Sequence, residues 1–74
     1  MPYNGHKNWN HWNVYTWLTA TEGDYRMVCD CIRRTRTLDD AARRILDLVG
    51  HGESTPDGAP YTFTSIRAAL VGWV

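Results

Sequence analysis

Apolar positions recur at helical spacing over three stretches of the chain. Leu38, Ala41, Ala42, Ile45, Leu48 and Val49 form one continuous stripe. Thr37 stands before it as a cap, Asp39 and Asp40 fall in the first turn where the helix dipole favours negative charge, and Gly50 follows as a stop. This predicts a helix over 38–49. Tyr25, Val28, Cys29 and Ile32 fall at i, i+3, i+4 and i+7, predicting a one-faced helix from Asp24 to about Arg34. Thr21 and Asp24 resemble a capping box at its start, and Gly23 suits the end of the helix before it. Phe63, Ile66, Leu70 and Trp73 mark a last helix, with Thr62 as its cap and Tyr61 with Ile66 placed as a hydrophobic staple.

The segment from Trp12 to Ala20 is denser and less periodic. It fits a helix with Val14, Trp17 and Leu18 on one face, capped by Asn8 or Asn10, but Val-Tyr-Thr-Trp also suits a strand. Residues 1–8 are turn-formers and read as irregular. Residues 51–60 read as a polar loop, in which Thr55-Pro56-Asp57-Gly58 has Pro and Gly where a type I turn takes them. The pattern adds up to one small, mainly α domain over 1–74: a compact bundle of three to four short helices around an aromatic core.

Composition sharpens that picture. A chain of 74 residues leaves much of its surface exposed on folding, and four Trp, four Tyr and one Phe offer large burial per residue in return. Some rings must stay at the surface, where Trp and Tyr commonly anchor partners. Trp9, set among Asn and Lys, is expected to be the most exposed, and Trp17 with Tyr15 or Trp12 to be core. The formal charge is zero, which argues against a polyanion mimic and against a generic DNA-coating protein. The charge is unevenly spread: residues 26–44 carry six Arg against Asp30, Asp39 and Asp40, a net of +3.

Candidate chemistry is sparse. Cys29 and Cys31 lie two apart, about 200° around a helix, so they cannot share an ion or a bridge within it. Cys29 is expected on the core stripe and Cys31 elsewhere. His6, His11 and His51 match no paired-ligand spacing for a metal. The chain shows no Gly-rich phosphate loop, serine elbow or paired-carboxylate pattern, so a non-catalytic protein without cofactor or metal is expected. No charged-then-apolar leader and no apolar run of membrane-span length occurs, and a reduced, cytoplasmic setting is expected.

Two surfaces remain as partner-binding candidates. One is Trp9. The other is the arginine band, Arg33, Arg34 and Arg36 at the end of the second helix and Arg43 and Arg44 on the third. Arginine meets carboxylates and phosphates bidentately, while its bland role here is local pairing, as between Arg43 and Asp47 at i and i+4.

Asn8 to Leu18 (Asn-Trp-Asn-His-Trp-Asn-Val-Tyr-Thr-Trp-Leu) followed by Thr21-Glu22-Gly23-Asp24-Tyr25 resembles a group of small tailed-phage proteins of unknown function. Thr55 to Leu70, opening Thr-Pro-Asp-Gly, is similar to the C-terminal half of that group. The resemblance implies a phage or prophage origin and brings no catalytic residues with it. It directs the functional expectation to a stoichiometric, anti-CRISPR-like inhibitor that docks on a subunit of a host defence complex in the host cytoplasm, as a monomer or homodimer. The alternative is a small nucleic-acid-binding or transcription-modulating module, with the second and third helices as a helix-turn-helix whose arginines meet phosphates.

Overall fold

The computed structural model describes residues 7–73 and holds four helices: α1 (Trp9–Leu18), α2 (Glu22–Arg34), α3 (Leu38–Val49) and α4 (Phe63–Val71). Most of the segment expected to be irregular, His6 included, lies outside the described residues. The ambiguous first segment is a helix. Its N-cap is Asn8, whose side chain accepts from the His11 backbone N–H at 3.0 Å. Thr21, Thr37 and Thr62 cap α2, α3 and α4 in the same way, each extended in backbone and each accepting from the N–H three residues on. At Thr62 the cap is reciprocal, because the Ser65 hydroxyl accepts from the Thr62 backbone N–H at 3.1 Å.

One boundary differs from expectation. Gly23 lies inside the first turn of α2 and does not end α1, which stops at Leu18 with Thr19 as its C-cap. The Thr21 cap dominates because its hydroxyl needs helical geometry to start at once, and an open first turn tolerates glycine.

The helices form a closed circuit, α1 on α2, α2 on α3, α3 on α4 and α4 back on α1. Val14, Leu18, Val28, Cys31, Ala41, Ala42, Ile45, Ala59, Ile66, Ala69 and Leu70 fill the centre. Burial of each large aliphatic side chain contributes about 1.5–3 kcal/mol. The rings stand around this cluster instead of inside it: Tyr15, Tyr61, Phe63 and Trp73 pack against it only partly buried. The aromatic core anticipated from composition is therefore aliphatic at its centre and aromatic at its rim. The small side chains of Ala41, Ala42, Ala59 and Ala69 draw the backbones close together, leaving less room for rings at the centre.

The segment between α3 and α4 folds back on itself. Gly50 turns the chain with φ 106°, and a Cβ there would meet the Glu53 side chain at 2.8 Å. The Gly58 N–H donates to the Thr55 carbonyl at 2.8 Å, closing the expected turn, and Ser54 and Pro60 make a single antiparallel bridge.

A polar latch fastens this loop to α1. Asn13, only 1% exposed, donates through Nδ2 to Asp57 Oδ2 at 2.9 Å and accepts through Oδ1 from the Thr55 hydroxyl at 2.5 Å. Trp17 Nε1 donates to the same Asp57 oxygen at 2.9 Å, and the Thr55 hydroxyl accepts from the Ala59 N–H at 3.1 Å. The two donors hold the Asp57 carboxyl below its ordinary range. Trp-Asn-Val with Trp-Leu and Thr-Pro-Asp-Gly, far apart in sequence, are thus two halves of one hydrogen-bonded unit. Trp17, expected as core, is half-buried with its ring nitrogen committed to this latch.

Candidate functional site

The helix α2 is turned relative to its apolar stripe. Val28 and Cys31 face the core, while Cys29 and Ile32 are half-buried and Tyr25 is 48% exposed. The two cysteines are the reverse of what the spacing predicts, with Cys31 buried and Cys29 half-buried. Strong hydrophobes set the expected face, but the buried face is narrower and centred on small groups, Val28, Cys31 and the half-buried Thr35. The Thr35 hydroxyl donates to the Cys31 carbonyl at 2.7 Å, which lets a polar residue close that face. Burial pushes the Cys31 thiol up, partly offset by the neighbouring Arg44 and Arg34 guanidinium groups.

The rotation releases Tyr25 to the surface. Its ring stacks on Trp73 at 5.1 Å between centroids and 27° between planes, and Tyr15 meets the same indole edge-on at 5.9 Å. Trp73 Nε1 donates to Cys29 Sγ at 3.4 Å. Tyr25, Arg26, Cys29, Asp30 and Arg33 line an open groove of about 620 Å³ along the outward side of α2. The spacing puts Tyr25 and Cys29 on the apolar stripe of α2, and a turn of the helix that no local spacing specifies brings Tyr25 to the surface. Trp9 is exposed as expected, at 38%, yet Tyr25 exceeds it.

The arginine band is divided. Arg33 and Arg34 share one carboxylate, with Arg33 on Asp30 Oδ1 at 2.8 Å and Arg34 on Oδ2 at 3.0 Å. Arg44, on α3, lies across the seam beside Cys31, as Arg34 does. Arg36 stands in the short connection between the two helices. Arg43 leaves α3 on the opposite flank: it pairs with Asp40 at 3.3 Å and lies 5.3 Å over the Phe63 ring of α4. The Arg43–Asp47 pair expected from spacing does not form, because Phe63 draws the guanidinium toward α4 and His51 Nε2 takes Asp47 at 2.6 Å. On that same flank Arg67 of α4 reaches Asp39 of α3 at 2.6 Å. Among the described residues Arg36 and Arg44 make no ion pair.

Among the described residues no group of three or more His, Cys, Asp or Glu is placed to hold a metal, and no helix is long and apolar enough to cross a membrane. A family model described as a family of unknown function, DUF7249, matches residues 1–72. The chain belongs to the DUF7249 family. No curated protein and no solved structure matches it. In this DUF7249 chain the matched span takes in the latch, the groove on α2 and all of the arginines.

Proposed function

We propose that this protein works by stoichiometric protein–protein binding, as a phage-encoded, anti-CRISPR-like inhibitor that docks on a subunit of a host defence complex. The observation that supports a binding role is the outward side of α2. It sets an exposed Tyr25, braced by Trp73, beside Arg26 and Arg33 in an open groove on a helical scaffold. Braced aromatic rings and arginines are the side chains that most often carry interface energy, because little freedom is lost when they are covered. The choice of a defence complex as target comes from the resemblance to small tailed-phage proteins.

The test is plaque formation on a panel of bacterial strains, each with one active CRISPR effector directed against a phage and each expressing this chain. The expected result is recovery of phage titre in at least one strain, with that effector co-purifying through nuclease treatment. Titres that stay suppressed across the panel overturn the reading. Recovery of nucleic acid alone, lost at moderate salt, turns it to the nucleic-acid module.

A further inference from the structure

We propose that the corner where α2 meets α3 is a docking surface for an acidic protein segment, one presenting carboxylates beside an apolar side chain. This rests on the reading of the protein as a binder and names the chemistry of what it binds. Arg33, Arg34 and Arg44 flank this corner and Arg36 stands in the connection that forms it, with Asp30 as the one paired carboxylate, a local net of +3. Arg36 and Arg44 have no ion-pair partner among the described residues; Arg44 is hydrogen-bonded to the Cys31 thiol, which leaves its charge and its remaining N–H groups to a carboxylate from outside. One turn beyond Arg44 on the same flank of α3, Leu48 is 58% exposed and supplies an apolar contact.

The extent of the positive charge selects protein over nucleic acid. A nucleic-acid strand repeats its charge every few ångströms and must enter and leave the patch. Beyond this corner the arginines are already held: Arg26 by Glu22 at the far end of α2, and Arg43 and Arg67 by Asp40 and Asp39 on the other flank of α3. A continuing phosphate chain meets arginines whose charge a carboxylate already answers, whereas two or three carboxylates fixed on a folded partner need only those of the corner. The divided band points the same way, since Arg43 and Arg67 are engaged on the other flank and extend no row of cations.

The experiment is a titration of isotope-labelled full chain followed by amide and arginine side-chain resonances. The probes are a Glu-rich helical peptide containing one leucine and a single-stranded DNA oligonucleotide of equal charge. Peptide shifts are expected at Arg33 to Arg36 and Arg44 to Leu48, weakening as salt rises, with tighter binding of peptide than of DNA. Arg34→Glu with Arg44→Glu is expected to weaken the peptide about tenfold, while Arg43→Glu stays within about twofold of the parent. Shifts mapping elsewhere, no saturable peptide binding, or tighter binding of DNA each overturn the proposal. The same double variant in the plaque assay separates the two readings. A titration that fails while titres still recover removes this corner and leaves the inhibitor standing; a titration that succeeds while no titre recovers keeps the acidic-segment surface and removes the defence target.

Discussion

The polar residues between α1 and the following loop and those at the corner of α2 and α3 are both organised around one aspartate. At Asp57 two neutral donors, Asn13 and Trp17, converge on one oxygen, and Asn13 in turn receives the Thr55 hydroxyl, so that no buried side-chain polar atom among the described residues lacks a partner. At Asp30 two cations share one carboxylate in open solvent, and two more cations stand nearby without one. The first arrangement is structural at its buried end, since removing Asn13 or Thr55 strands the other away from water. The second has donors in surplus, and exposed pairs of that kind contribute little to stability. Hydrogen-bonding capacity left over at a surface is where a partner finds purchase.

Substitution separates the two clusters, and the largest effect belongs to the latch. Asn13→Ala empties a buried site and leaves the Thr55 hydroxyl without its acceptor; the expected loss is about 3 kcal/mol, or roughly 12–20 °C in Tm by thermal denaturation. A loss no larger than that of an exposed substitution breaks the distinction. Next comes acid. Because the folded-state pKa of Asp57 is depressed, its contribution is fully present above the ordinary carboxylate range and is lost as pH falls through the folded value. Asp57→Asn is expected to flatten the decline of Tm below about pH 4 relative to the parent chain; identical acid slopes would show that the latch does not depend on this ionisation.

Tyr25→Ala, which removes the stack on Trp73, is expected to cost about 1 kcal/mol in urea denaturation and to raise solvent exposure of the indole, read from its fluorescence. The smallest effect is that of Arg34→Glu with Arg44→Glu, expected to stay within about 0.5 kcal/mol of the parent in the same measurement. A loss of several kcal/mol there would make the corner part of the scaffold and not a surface for partners.

Sequence disclosed the elements of this fold more readily than their orientation. The Thr37 cap, the stripe from Leu38 to Val49 and the Gly50 stop are local signals, and they set α3 without reference to anything else in the chain. The Thr55 to Gly58 turn and the Thr62 cap are local in the same sense. Which way α2 faces is a tertiary matter. Cys31 is buried in one cluster with Ala41 and Ala42 of the neighbouring helix, and that placement is absent from residues 22–34 themselves. The arginine band was legible as composition, but its division into two flanks depended on Phe63 and Asp39 meeting Arg43 and Arg67. The pairing of Asn13 with Asp57 spans 44 residues and had no signature beyond two short motifs.

The circuit of helices also orders events in time. α1 packs mainly on α4 and only slightly on α2, and its latch and its Tyr15 contact both come from beyond residue 50. As the chain leaves the ribosome, α2 and α3 can pair while α1 has only its slight contact with α2. Of the four helices α1 is thus the last to dock although it precedes the others in the chain, and folding waits on a closure between distant segments. Pulsed hydrogen exchange during refolding should find the amides of α1 protected after those of α2 and α3.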